Sequence, residues 1–254
     1  MTQLSVNINK IALIRNSRGR NFPDVDAFAR RCLEFGAHGI TLHPRQDQRH
    51  ARYSDVHSLQ KVCQDFRREL NVEGYPNAEF LEVVKAVRPA QCTLVPDAPG
   101  QLTSDHGWQI AANQAMLTDV IADLKMHGIR VSVFMDVDSE EFALAKQIGV
   151  DRVELYTEPY AERFHESDIA DVLARFKSAA ERAQALGLGV NAGHDLNLEN
   201  LGAFLSIPNI LEVSIGHALV VESLELGLET VIHRYVDLIA QALQAQQAPL
   251  RQTP

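Results

Sequence analysis

Cysteine is scarce in this sequence. Cys32, Cys63 and Cys92 are the only three among 254 residues, and no two form a CxxC pair. That excludes a disulfide framework or a cysteine-clamped metal, and an odd number of isolated thiols suits buried small hydrophobes in a reducing compartment. Positive charge is also short: 24 Lys and Arg face 33 Asp and Glu, a formal net charge of −9. A general nucleic-acid binder would carry a basic surface, so nucleic acid is not an expected partner. No apolar run approaches the length of a membrane span, and the opening MTQLSVNINK lacks the charged-then-apolar build of a signal peptide. The expected location is the cytoplasm, without membrane attachment. Motifs are missing too. No GxGxxG or GxxxxGK[ST] follows the first strand, and there is no HExxH or DxDxDG loop, which removes the nucleotide folds and the metal sites most easily read from sequence.

What is present is a β–α rhythm. Short runs rich in β-branched residues predict strands at 4–9, 39–43, 70–74, 92–96, 130–136, 152–157, 188–193 and 211–216. Between them lie helical stretches, among them 25–36, 79–88, 113–128, 140–149, 169–187 and 228–246. Gly36, Gly128, Gly149 and Gly187 each end one just before a strand, where a residue without Cβ accepts the left-handed conformation. Strands alternating with helices pair in parallel through right-handed crossovers, which permits a closed barrel or an open doubly wound sheet. Eight strands favour closure. The expectation is one (β/α)8 TIM barrel over 1–245, with possible extra helices, and a frayed tail over 246–254.

In such a barrel the chemistry collects where strands end and βα loops begin. Those positions carry Asn7, Asn9, Lys10, His43, Arg45, Glu73, Asp97, Glu154, Asn191, Gly193, His194, Gly216 and His217. His43, Glu73 and His194 can exchange protons near neutral pH. Arg18, Arg45 and Arg49 lie in loops at the expected mouth, where guanidinium groups bind phosphate bidentately. Gly193 and Gly216 stand where barrels often build a phosphate site from glycine backbone and a helix N-terminus. Asp136 and Asp138 stand at the end of the fifth strand with no metal-binding motif around them, and no metal is expected there. The stretch from Ser104 to Gln109, with His106 and Trp108, reads as loop surface.

These residues, taken in order, resemble the pyridoxine 5′-phosphate synthase family. The matching segments are Asn7 to Ala12 with Arg15 to Gly19, Gly39 to Arg45, Asp47 to His50, Asn71 to Glu73, Leu94 to Pro96, Val190 to His194 and Ile215 to Ala218. They run from the first strand to the last. The resemblance implies a (β/α)8 barrel assembled as a homo-octamer, a tetramer of dimers, that needs no metal or organic cofactor. It implies condensation of 3-amino-2-oxopropyl phosphate with 1-deoxy-D-xylulose 5-phosphate to pyridoxine 5′-phosphate, phosphate and water. By the family motif His43 and Glu73 accept protons and His194 donates one. Asn7, Gly216 and His217 would hold the amino-ketone phosphate; Arg45, His50 and Thr103 the deoxyxylulose phosphate; Arg18 would be a further phosphate ligand. Lys10, Gly193 and Asp195 join the binding set by position.

The chain departs from the family pattern at Asn9-Lys10, where an aspartate-histidine pair is common, and at Asp195, where glycine is common. Tyr156-Thr157-Glu158 stands in place of histidine-threonine-glycine. Other readings of the same residues are a different sugar-phosphate isomerase or lyase, with Lys10 the only strand-end lysine for a Schiff base, and a non-catalytic barrel that binds a phosphorylated metabolite.

Overall fold

A computed structural model of the chain describes residues 1–97, 100–101 and 103–247. Its strands are β1 (Gln3–Asn7), β2 (Gly39–Leu42), β3 (Glu69–Gly74), β4 (Gln91–Leu94), β5 (Arg130–Met135), β6 (Arg152–Tyr156), β7 (Gly189–Gly193) and β8 (Ile210–Ile215). Every neighbouring pair is parallel, and β8 closes on β1, with Val6 opposite Ile215. The closed eight-stranded barrel with helices between its strands is a TIM barrel. The helices are α1 (Asn9–Asn16), α2 (Val25–Glu34), α3 (Tyr53–Phe66), α4 (Ala78–Val87), α5 (Ile110–Met126) and α6 (Phe142–Gln147). They continue as α7 (Glu158–Glu162), α8 (Ile169–Ala185), α9 (Leu201–Phe204), α10 (His217–Leu226) and α11 (Leu228–Gln247). The extra ones, α1, α7 and α10, each begin within two residues of the end of β1, β6 or β8, so they shape the upper rim.

The strands sort their side chains by alternation. Leu4, Val6, Ile40, Leu42, Leu70, Val72, Val131 and Val133 are fully buried in the apolar layer. The residues between them face the lumen and are polar. Ser5 and Thr41 lie 2.6 Å apart, Asn71 donates to Thr41 and Thr93 to Asn71, which makes a hoop across β1 to β4. Gln91 on β4 donates to Glu212 on β8 and accepts from Asn191 on β7. These bonds cross the lumen, since the strands that carry them are not neighbours. Such satisfaction is required, because a buried polar group without a partner costs about 1–3 kcal/mol.

The glycine-marked helix ends are as expected: Gly36, Gly128, Gly149 and Gly187 all have positive φ, from 72° to 105°. The three cysteines are buried and free. Elsewhere the structure corrects the sequence. β1 stops at Asn7 instead of running to Asn9, because the Asn7 side-chain oxygen accepts the Asn9 N–H and turns the chain into α1. Lys10 therefore stands on a helix and not on a strand. α5 begins at Ile110, three residues before the expected start, because the Glu141 carboxylate accepts the Ile110 and Ala111 N–H groups from another loop. Of the expected frayed tail, Gln246 and Gln247 belong to α11, with Gln246 donating to Leu205 O at 2.7 Å; residues 248–254 lie outside the described set.

Trp108 is not loop surface. It is 4% exposed, its indole N–H donates to Leu94 O at 2.9 Å, and its ring stacks on Tyr75. The approach depends on Gly107, whose N–H donates to Asp136 while the Trp108 N–H donates to Phe134 O. A Cβ at Gly107 would lie 2.4 Å from the Asp136 backbone nitrogen and 2.5 Å from Met135 Cα. Neither partner yields easily, since both are backbone, Met135 the last residue of β5 and Asp136 the next. Gly107→Ala is expected to destabilise the fold by about 1–3 kcal/mol, the usual cost of overpacking, read as a lower urea midpoint.

Candidate active site

A cavity of about 450 Å³ opens at the C-terminal ends of the strands. β1, β3, β5, β6 and β8 bring strand residues to it directly, and β2, β4 and β7 contribute the residues that follow them. Of the residues singled out in the sequence, Asn7, Lys10, His43, Arg45, His50, Glu73, Thr103, His194, Asp195, Gly216 and His217 line it. Gly193 does not line it but lies beneath it. A Cβ there would sit 2.2 Å from the Glu154 carboxylate, so the glycine is the space that Glu154 occupies. Arg18 is exposed and outside the cavity; α1 carries the chain about 12 Å along its axis before that turn. Its neighbours Arg15 and Asn16 are structural. Arg15 forms a buried bidentate pair with Asp55 at 2.6 and 2.9 Å, and Asn16 donates to the carbonyls of Arg49 and His50. Asn9 accepts the His43 N–H at 2.9 Å and ties β1 to β2.

The centre of the site is an imidazole between two carboxylates. His43 Nδ1 lies 4.0 Å from Glu73 Oε2, and Nε2 lies 3.8 Å from Asp97 Oδ2. Asp97 in turn accepts from Arg45 at 2.5 Å and from Ser104 at 2.8 Å. Arg45 also donates to Gln101 O and to Ser104, and Arg49 donates to Gln101 O. The loops after β2 and β4 are thus fastened together beside the cavity. Asp97 was visible at the end of β4 in the sequence but carried no sign of a role, because its partner Arg45 is far away along the chain. Glu154, Ser104 and the aromatic pair Phe134 and Tyr156 are further site residues without a sequence motif. Position at a strand end was the only signal for Glu154, Phe134 and Tyr156, and Ser104, in the loop after β4, had none.

Burial sets the protonation states. Glu73 is pushed up to about 8, first by desolvation and then by the like charges of Glu212 and Asp97, against the pull of Arg45. Glu154 is raised by desolvation and by Glu73 and Glu212, and Glu212 by desolvation. His43 is held well below the ordinary imidazole range by desolvation, helped by Arg45, His194 and His50. Desolvation lowers His194 as well, opposed by Asp195 and Asp97. His50 falls to about 4 through burial and the charges of Arg49, Arg45 and Lys10. At pH 7 the site therefore holds neutral imidazoles beside a protonated glutamic acid. Such pairs, with values pushed away from their usual order, mark acid/base sites.

The backbone around His194 is unusual. His194 has φ +83° and Asp195 φ +56°, both in the left-handed region that costs a non-glycine residue about 1–2 kcal/mol. Aspartate accepts this conformation better than most side chains, which accounts for its standing where the family commonly has glycine. The His194 ring packs against Phe134 at 5.4 Å and edge-on against Tyr156 at 5.2 Å between centroids. On the far side of the cavity Gly216 precedes α10. A Cβ at Gly216 would lie 3.1 Å from the Asn7 backbone oxygen and from its Cβ, a tight contact where β8 meets β1.

A closed (β/α)8 barrel whose upper mouth gathers arginine, lysine, histidine and desolvated carboxylate defines an acid/base enzyme for small anionic substrates. Comparison with known proteins makes this specific. The family model described as "Pyridoxal phosphate biosynthesis protein PdxJ" matches residues 4–241. Pyridoxine 5′-phosphate synthase of Xanthomonas campestris pv. campestris (strain B100) is 52% identical over 247 residues, 94% of this chain and 96% of that one. The protein of the same name from Porphyromonas gingivalis is 49% identical over 241 residues, covering 94% and 100%. Among solved structures, thiamine phosphate pyrophosphorylase from Pyrococcus furiosus superposes with a TM-score of 0.62 at 15% identity, covering 95% of this chain and 96% of its own, a likeness of fold alone. The chain belongs to the PdxJ family.

The Glu73 shift fixes a sign for stability against pH. The native state holds a proton that the unfolded carboxyl releases near 4.5, so this residue's contribution is full below 4.5 and is lost as pH rises to about 8. Glu73→Gln should remove that loss. The variant is expected to gain stability relative to the wild type between pH 5 and pH 8, measured by urea unfolding at both.

Proposed function

We infer that the chain is a pyridoxine 5′-phosphate synthase, which condenses 3-amino-2-oxopropyl phosphate with 1-deoxy-D-xylulose 5-phosphate and releases phosphate and water. Family membership over nearly the whole chain carries the reading. The site's chemistry agrees with it. The amine attacks a ketone, the carbinolamine loses water, and carbons are deprotonated before the ring closes. Each step needs a proton moved near neutral pH, and His43, Glu73 and His194 surround one cavity, the carboxyl raised to about 8 and both imidazoles lowered.

In this reading Asn7 and the Gly216–His217 turn hold the amino-ketone phosphate against the first turn of α10, where free backbone N–H groups favour an anion. Arg45, His50 and Thr103 bind the ketose phosphate, and Lys10 adds a point charge. Asp97 presents Arg45: with part of the guanidinium tied to Asp97, Ser104 and Gln101, its remaining edge faces the cavity. The negative charge of bound phosphates raises the nearby imidazoles, so His194 takes up the proton it donates only once substrate is present. Glu73 enters the cycle as an acid and accepts a proton after giving up its own. Two substrates held in one cavity also lose the entropic barrier of meeting.

Among the described residues no helix is long and apolar enough to cross a membrane; we propose that the protein works in the cytoplasm. We also propose that it is a homo-octamer, a tetramer of dimers. Leu13 and Ile14 on α1, and Val221, Leu224 and Leu226 on α10, leave apolar side chains 40–79% exposed on two helices that touch each other. A second copy of the chain would cover them.

Purified protein given both substrates should form pyridoxine 5′-phosphate, detected by mass spectrometry, with Glu73→Gln slower by at least about a hundredfold. No product from folded protein would refute the reading. Native mass spectrometry should give the mass of eight chains.

A further inference from the structure

β6 ends in Glu154, Leu155 and Tyr156, and the next residue, Thr157, is fully buried and absent from the cavity wall. It touches no space a substrate could enter. Its contacts run instead to the segment that carries His194. The Thr157 N–H donates to Gly193 O at 2.9 Å, and its hydroxyl lies 2.6 Å from the same oxygen and 2.5 Å from His194 O. The Thr157 carbonyl accepts from Tyr160 and Ala161 at the start of α7, so its backbone is anchored there while its hydroxyl contacts the His194 segment.

The two carbonyls belong to the peptide groups before and after His194. A hydroxyl in contact with both ties down φ and ψ of that one residue together. This matters because His194 holds φ +83°, followed by Asp195 at +56°, and neither residue rests there by preference. β-Branching limits the Thr157 side chain to few rotamers, so the hydroxyl position is itself fixed. The imidazole leaves this backbone between Phe134 and Tyr156 and cannot pivot to compensate for a shift. Where its nitrogens point is decided by the main chain.

We propose that Thr157 is a positioning residue for the proton-transfer step, its hydroxyl holding His194 in the left-handed backbone state that aims the imidazole into the cavity. The inference rests on reading His194 as an acid/base group. Misplacing a reacting group by about 1 Å can cost up to about a hundredfold in rate, and substrate contacts would be untouched because Thr157 makes none.

The test is steady-state kinetics on Thr157→Val and Thr157→Ser with both phosphorylated substrates. Val keeps the shape and removes the hydroxyl; Ser keeps the hydroxyl. We expect Val to lower kcat at least about tenfold with both KM values within about twofold, and Ser to restore kcat to within about threefold. Should Val fail to fold, Thr157→Ala removes the hydroxyl without setting a methyl group against the two carbonyls and carries the same expectation. In a double-mutant cycle, adding Thr157→Val to His194→Asn should cost no more than His194→Asn alone. Wild-type kcat in the hydroxyl-free variants, KM rising in step with the loss, or no rescue by Ser would overturn the inference. A fully active His194→Asn would sink the reading beneath it as well, whereas a dead His194→Asn beside a wild-type-like Thr157→Val would sink the Thr157 role alone.

Discussion

Closing eight strands around side chains that are polar instead of aliphatic puts the whole molecule under one requirement: every group in the lumen must find its partner inside. Glu212, Glu154 and Glu73 stand at successive heights between the lower rim and the mouth, all buried. The lower one is compensated. Gln91 donates to Glu212, Arg152 lies 4.0 Å away, and Asn191 and Arg130 complete the set through Gln91. The upper two are not compensated to the same degree. Glu154 leaves one oxygen without a hydrogen-bond partner among the described residues, and Asn7 reaches Glu73 only at 3.5 Å. Charge in this position costs several kcal/mol, so the carboxyls keep their protons. The lumen thus grades from a satisfied base to a reactive top.

The same requirement explains the histidines. Arg45 and Arg49 at the rim make the upper mouth attractive to phosphate, and that positive potential together with burial keeps His43 and His50 neutral. An anionic substrate reverses the sign of the local field. In the proposed reaction, binding and proton transfer are therefore linked through electrostatics.

Much of this was legible in the residues. The eight strands were read to within about two residues at each end because alternation of β-branched and polar side chains is a local signal. Eleven of the thirteen expected site residues meet at one cavity because strand ends in a barrel converge. What escaped was tertiary. The end of β1 depends on one side-chain hydrogen bond from Asn7, the start of α5 on a carboxylate from another loop, and the burial of Trp108 on a glycine pressed against β5. Arg18, from the same compact stretch, is exposed outside the cavity of its own chain, while its neighbours Arg15 and Asn16 brace the loop of His50. Asp97 has no motif because its meaning lies in a guanidinium on the second strand's loop. Asn9 and Lys10, which depart from the family pattern, still stand at the cavity, one bracing the His43 backbone and the other lending its charge.

The fastening of the β2 and β4 loops has a bearing on how such a sequence can change over time. Arg45, Asp97 and Ser104 form one mechanical joint. Lengthening the acid at 97 by a methylene, or shortening the base at 45, moves the free edge of the guanidinium relative to the cavity and strands a buried charge if the partner stays as it is. The two loops are therefore coupled: a change of side-chain length on one misplaces its partner on the other unless that partner changes too. The placing of the guanidinium at the cavity is a property of both loops together and of neither alone.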